Sequence, residues 1–288
     1  MKTNTLSVAL IQERNHGDAA ANLAVIEQRV AEAAAAGARL VLLQELHNGA
    51  YFCQHESVDE FDLAESIPGP STERLAALAR QHQIVVVSSL FERRAAGLYH
   101  NTGVVFDADG STAGKYRKMH IPDDPGFYEK FYFTPGDLGF QPVDTAVGRL
   151  GVLVCWDQWY PETARAMMLQ GAEVLMYPTA IGTEPHDDSL DTAEPWRRAM
   201  QGHAVSNVVP VVGANRIGHE QVTEAGQTFY GHSFIADHRG DLVESLGRDE
   251  EGVLVHEFDL DFLDRHRAAW GFFRDRRTDL YGPLLGTR

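Results

Sequence analysis

The chain has 288 residues, 44% of them hydrophobic, and a formal net charge of −16 from 41 acidic against 25 basic side chains. This acid surplus argues against a phosphate-backbone partner, because nucleic-acid binding relies on lysine and arginine displacing counterions, while it suits a cationic small molecule. Cys53 and Cys155, the two cysteines, exclude a disulfide framework, and the apolar runs are too short for a signal peptide or a membrane span, so a cytoplasmic protein is expected.

Short apolar runs rich in β-branched residues predict strands at 6–11, 40–43, 84–90, 103–106, 150–155, 174–177, 208–214, 232–236 and 253–258. Helical periodicity predicts helices at 22–36, 71–83, 161–170 and 195–206. Alternation of the two types indicates an α/β layered fold. With no linker, low-complexity tract or internal repeat, one domain over 1–288 is expected. The connections 99–143 and 179–194 are long, polar and interrupted by glycine and proline, and loops of that length inside a compact domain are usually functional.

Two of these apolar runs, and one further segment, end on residues with chemistry. The run through Leu40 to Leu43 leads into Gln44 and Glu45, and the segment Gly114-Lys115-Tyr116-Arg117-Lys118 precedes Pro122. The run ending at Val154 leads into Cys155-Trp156-Asp157-Gln158-Trp159-Tyr160-Pro161-Glu162. A thiol between a strand and a helix start is rigidly held near free backbone N–H groups that can receive an oxyanion. A carboxylate on a buried strand is costly unless it is paired or employed. Taken singly, Cys155 reads first as a small core residue, and Glu45 reads equally as a salt bridge closing a strand and Lys118 as part of a solvated basic loop. Together they form a constellation.

At these segments the sequence resembles the nitrilase superfamily, the carbon–nitrogen hydrolases with a Glu-Lys-Cys triad. The resemblance runs from Val8-Ala9-Leu10-Ile11-Gln12 through the Glu45, Lys118 and Cys155 motifs to Asn215-Arg216 and Gly240-Asp241. It implies a four-layer α-β-β-α sandwich, a homodimer or higher homo-oligomer, and a second glutamate near the lysine, matched by Glu129 within Tyr128-Glu129-Lys130-Phe131-Tyr132. No cofactor or metal is implied. Chemistry then distributes the roles. Cys155 is the nucleophile and Glu45 the general base. Lys118 and the backbone N–H of Trp156 form the oxyanion hole, each such donor being worth about 3 kcal/mol. Glu129 orients Lys118 or the attacking water.

Two other readings compete. His186-Asp187-Asp188 could ligate a cation in a metal-dependent hydrolase, although there is no His-Glu-x-x-His pattern and no Cys-x-x-Cys. A non-catalytic binding protein of the same fold would not need an intact triad.

The substrate is read from what surrounds the thiol. Relatives that take N-carbamoyl amino acids must hold a carboxylate, for which arginine is the natural partner, yet no arginine follows Cys155 closely. Aromatic and acidic groups suit an aliphatic chain ending in an ammonium. Trp156, Gln158, Trp159 and Tyr51 are therefore expected in the substrate pocket. Glu184 is the preferred ammonium partner, with Asp187 and Asp188 nearby, and Pro185 biases Glu184 toward an extended backbone. The segments 155–162, 177–188, 196–204 and 272–277 resemble the branch of the superfamily that acts on the cationic ureido-amine N-carbamoylputrescine. A β-ureidopropionase-like enzyme or an aliphatic amidase is the alternative within the superfamily.

Overall fold

The computed structural model describes residues 4–187 and 189–286. In chain order the strands are β1 (Thr5–Gln12), β2 (Leu40–Leu42), β3 (Val85–Ala95), β4 (Leu98–Phe106), β5 (Thr112–Arg117), β6 (Val143–Thr145) and β7 (Gly148–Val152). They continue with β8 (Val174–Pro178), β9 (Val211–Ala214), β10 (Ile217–Glu220), β11 (Gln227–Tyr230), β12 (Phe234–Ala236), β13 (Leu242–Ser245) and β14 (Gly252–Asp259). The helices are α1 (Ala19–Ala35), α2 (Pro70–His82), α3 (Glu129–Tyr132), α4 (Pro161–Leu169), α5 (Ala193–Asn207) and α6 (Leu260–Trp270).

The strands form two six-stranded sheets, ordered β14-β1-β2-β3-β4-β5 and β13-β12-β9-β8-β7-β6, and β10 pairs with β11 in a separate hairpin. Side-chain alternation sets the layers. In β1, Val8 and Leu10 join Leu42, Val87, Val152 and Met176 in the core between the sheets. Ala9 and Ile11 point the other way, where Ile26 and Val30 of α1 and Leu75 and Leu78 of α2 cover them. A period of two puts successive side chains on opposite faces, so a strand covered on both faces reads as a continuous apolar run. Met167 of α4 and Trp196 and Met200 of α5 pack with the second sheet. The layers are thus helix, sheet, sheet, helix, as expected.

Parallel pairing of β1 with β2, β2 with β3, β7 with β8 and β8 with β9 places the chain after each of these strands at a common type of sheet end. Ligand sites in α/β sheets form outside such carboxyl ends. Glu45 follows β2, Cys155 follows β7, and the 179–192 segment follows β8.

Several expectations need correction. The connection 99–143 is not one loop: β4 begins at Leu98, β5 returns antiparallel to it, and β6 closes the edge of the second sheet. Residues 153–155 are not strand. Leu153 N–H still reaches the Met176 carbonyl, but Cys155 adopts φ 39° and opens a 3-10 turn over Cys155–Trp159. The expected strand 208–214 starts only at Val211, because Val208 ends α5 with φ 52° and Pro210 has no N–H to donate. Likewise His232, with φ 59°, stands outside β12. The hairpin β10–β11, strand β13 and helix α6 fall in polar stretches whose periodicity gave no signal.

Candidate active site

The strand end carrying Glu45 leaves the sheet through a strained turn. Leu46 has φ 49°, a left-handed conformation costly for a side chain of its size unless the surroundings enforce it. Arg216, wholly buried, supplies that enforcement: its Nη2 donates to the carbonyls of Glu45 at 2.8 Å and Leu46 at 2.9 Å. The Glu45 carboxylate is thereby aimed into the space beside β4. Its Oε1 accepts from Lys118 Nζ at 2.8 Å and from Asn101 Nδ2 at 2.6 Å. Its Oε2 is buried with no hydrogen-bond partner among the described residues.

Lys118 lies one residue beyond β5, its N–H held by the Asn101 carbonyl at 2.9 Å. Its ammonium is fully enclosed between two carboxylates, Glu45 and Glu129, the latter at 2.7 Å. Burial works against that charge, but Glu129 and Glu45 outweigh it and hold the lysine pKa well above the ordinary value. Lys118 is a fixed cation. Glu129 also accepts from the Tyr51 hydroxyl at 2.7 Å. Burial, only partly offset by Lys118, lifts Glu129 from the usual carboxylate range to about 7.

The Cys155 turn is set by Asp157, a fully buried carboxylate. One oxygen accepts from Val154 N–H at 3.1 Å and the Tyr116 hydroxyl at 2.7 Å, and the other from His120 N–H at 3.1 Å and His120 Nδ1 at 2.7 Å. Tyr116 and His120 flank Lys118 by two residues on either side, so Asp157 ties the cysteine turn to the lysine segment. Within the turn Asp157 N–H bonds the Val154 carbonyl. That leaves the N–H groups of Cys155 and Trp156 without an intrahelical acceptor, as at any helix start. The Cys155 thiol donates weakly to the Ala180 carbonyl at 3.8 Å. Burial, reinforced by Glu45 and opposed by Lys118, pushes the thiol pKa well above the usual cysteine value. Burial at this position therefore favours the neutral form of the thiol.

A cavity of about 280 Å³ opens over Cys155, walled by Glu129, Trp156, Trp159, Ala180, Ile181 and Phe127, with Asp124, Glu184 and His186 among its other lining residues. Glu184 is half-buried, and burial raises its carboxyl pKa, His186 opposing and Asp124 reinforcing the shift. The segment carrying it is pinned at Gly182, where a Cβ would lie 2.2 Å from the Thr228 carbonyl, so only glycine fits against β11. Gln227 Nε2 also bonds the Thr183 carbonyl at 2.6 Å.

The fold therefore gathers Glu45, Lys118, Glu129 and Cys155 into one cluster and puts Trp156, Trp159 and Glu184 on the cavity wall. Three expected pocket residues are placed elsewhere. Tyr51 is fully buried behind Glu129. Gln158 is also fully buried, with its Oε1 accepting from Thr179 at 3.3 Å and its carbonyl contacting His203. Asp187 is exposed, lines a neighbouring pocket, and its carboxylate is turned onto Ser189. Asp188 lies outside the described residues. Sequence reasoning missed Asn101, Asp124 and Phe127. A polar residue inside the apolar stretch Asn101-Thr102-Gly103-Val104-Val105-Phe106 was the available signal for Asn101.

The alternative cation ligands His186 and Asp187 belong to no metal-holding group among the described residues, which do not include Asp188. Among the described residues the one such group is Glu13, His16 and Glu251, none of which lines the Cys155 cavity. Its carboxylates already pair with Arg29 and Arg14.

The chain is similar to known proteins over nearly its whole length. The family model described as carbon-nitrogen hydrolase matches residues 7–268. An N-carbamoylputrescine amidase of Solanum lycopersicum is 50% identical over 99% of this chain and 96% of its own length. A citrullinase of Francisella tularensis is 43% identical over 97% of this chain and 98% of its own. The crystal structure of a carbon-nitrogen hydrolase from Helicobacter pylori superposes with a TM-score of 0.93 at 44% identity, covering 98% of both chains.

Proposed function

Because this chain belongs to the carbon–nitrogen hydrolase family, we propose that its cluster is a Glu-Lys-Cys machine hydrolysing N-carbamoylputrescine to putrescine, carbon dioxide and ammonia. The chain works as one carbon–nitrogen hydrolase unit. Glu45 Oε2, the free lobe of the carboxylate, takes the Cys155 proton as sulfur attacks the ureido carbon. Negative charge then gathers on the carbonyl oxygen, where the Lys118 ammonium and the Trp156 N–H stabilise it. The carbon–nitrogen bond breaks as Glu45 returns its proton to the departing nitrogen, leaving a thiocarbamate on Cys155. Water, deprotonated by Glu45, attacks that carbon and expels the thiol. The carbamate so released decomposes to carbon dioxide and the second amine. Glu129 keeps Lys118 in place throughout.

The observation that carries the substrate assignment is the charge of the cavity. Glu184 and Asp124 line it together with Cys155, and among the described residues lining it there is no arginine or lysine. A four-carbon chain from the scissile carbonyl ends in an ammonium, which those carboxylates attract. Citrulline, the substrate named for the Francisella relative, is the same ureido chain with a carboxylate on the carbon bearing the ammonium. Here that carboxylate would face two like charges. Ammonia release from N-carbamoylputrescine, citrulline, N-carbamoyl-β-alanine and a short aliphatic amide tests the assignment. N-carbamoylputrescine should give the highest kcat/KM, and a higher value for any of the others would overturn it.

Two further readings belong with this one. Both cysteines are free, which fits a reducing cytoplasmic compartment. A second copy of the chain covers the groove lined by Val205 on α5, Phe272 and Leu284 near the C-terminus, where Val205 and Leu284 are exposed in the single chain. Light scattering reads that assembly directly, and a monomer at micromolar concentration would refute it.

A further inference from the structure

Outside the cavity, one buried ion pair reaches both carboxylates of the cluster. Arg216 and Glu220 bracket the start of the β10–β11 hairpin, and neither side chain is exposed by more than a few per cent. Arg216 Nη1 donates to Glu220 Oε1 at 2.7 Å and to the Gly49 carbonyl at 3.2 Å, while Nη2 holds the carbonyls of Glu45 and Leu46. Glu220 Oε2 accepts from the Tyr51 N–H at 2.6 Å. The Tyr51 hydroxyl in turn donates to Glu129. Phe229 of β11 stacks under the guanidinium and meets Tyr51 edge-on, at 5.2 and 5.5 Å.

Two branches thus leave one guanidinium. The first runs directly to the backbone of the base Glu45. The second runs through Glu220 and Tyr51 to Glu129. Both carboxylates grip the same Lys118 ammonium, so the position of that ammonium relative to Cys155 depends on the length of both branches. A planar fork with five donors can satisfy three carbonyls and a carboxylate at once, which an ammonium cannot.

We propose that the Arg216–Glu220 pair is a positioning device for the reaction: it fixes the 45–51 segment so that Glu45 and Glu129 hold Lys118 at the oxyanion site. The inference rests on the triad assignment above and is independent of which ureido compound is the substrate. It also gives the corrected role of Tyr51, which acts on Glu129 rather than on the substrate. The buried charge pair stabilises little by itself, because desolvation offsets most of the attraction, and geometry is the better account of its presence.

The test is a set of variants assayed per active site, with active sites counted by iodoacetamide incorporation at Cys155 and mapped by mass. Arg216→Lys should lower kcat by about a hundredfold, the loss typical of a displacement near 1 Å, while KM moves much less. Glu220→Gln and Tyr51→Phe act on one branch, so each should lower kcat, and their double variant should be no slower than the slower single. A purely structural role would lower the melting temperature and the count of active sites but leave kcat per site and KM alone. That outcome, or multiplicative losses in the double variant, overturns the proposal. The Glu220 and Tyr51 cycle decides the matter if Arg216→Lys does not fold. If N-carbamoylputrescine is not turned over, kcat is read on whichever member of the substrate panel is, so an error in the substrate does not pass for an error here.

Discussion

The two ends of the Cys155 cavity are built on different terms. At the chemical end, Glu45, Lys118 and Glu129 are enclosed, each bonded to the next at 2.7 to 2.8 Å, and anchored by residues from β4, β5 and the β10–β11 hairpin. At the far end, Glu184 is half-buried on a segment held mainly by backbone contacts to β11 and by an exposed Asp191–Arg248 ion pair. The first arrangement has little freedom to change without losing the reaction. The second can alter its charge at small structural cost, which is where specificity is expected to lie.

Substitutions that erase the difference between the ends test it. The largest effect is expected at the chemical end: Cys155→Ala abolishes turnover while the fold persists, and Lys118→Ala or Glu45→Gln lowers kcat by several orders of magnitude, because groups acting as a unit fail together. Steady-state rates with circular dichroism on the same samples decide it, and near-normal kcat in any of the three removes that residue from the mechanism. At the far end, Glu184→Gln should lower kcat/KM for N-carbamoylputrescine by roughly thirtyfold, since a desolvated ammonium–carboxylate pair that loses a member costs about 2–5 kcal/mol. An uncharged N-carbamoyl-alkylamine of equal length should be nearly unaffected. Equal losses on both would show that Glu184 supports the segment and not the charge.

A smaller effect, on stability, concerns the scaffold beneath Lys118. Burial opposes ionisation of Glu92, but the neighbouring Arg117 fork and the Thr102 hydroxyl hold its pKa at about 2 against 4.5 for the free group. Its contribution to stability is therefore whole above pH 4.5 and is lost as pH falls toward 2. Glu92→Gln should lower the melting temperature by several degrees at pH 7, with the gap to the parent closing as pH is taken below 4.5. A gap that stays constant with pH would mean packing and not charge. The smallest effect is at Asp187: Asp187→Asn should change kcat/KM by less than about twofold, as its carboxylate is turned onto Ser189 in an exposed local contact.

The contrast between the ends also explains what the sequence could tell. Strands buried on both faces, such as Leu40–Leu42 and Val174–Pro178, announce themselves as apolar runs, and residues with chemistry placed where such runs stop are legible because a buried charge demands a reason. Glu45 and Cys155 were readable on that ground, while Glu129 came through resemblance. Distances between loops were not readable. The position of Asp124 beside Glu184, 60 residues away, and the path from Glu220 through Tyr51 to Glu129 are set by contacts between residues far apart in the chain, 169 and 78 residues for the two steps of that path, which no local pattern encodes. Proximity in sequence also misled: Gln158 is three residues from Cys155, but the 3-10 turn rotates it into the core. Asp187 is three residues from Glu184, yet it points at Ser189.

The account depends most on Cys155 attacking the ureido carbon, and acid-quenched turnover read by intact and peptide mass spectrometry tests that step directly. During steady-state hydrolysis of N-carbamoylputrescine, a carbamoyl-type adduct should accumulate on the peptide containing Cys155 and disappear when substrate is exhausted. The Cys155→Ala protein should show none. Turnover with no adduct on Cys155, or an adduct on Cys53 instead, would contradict the account.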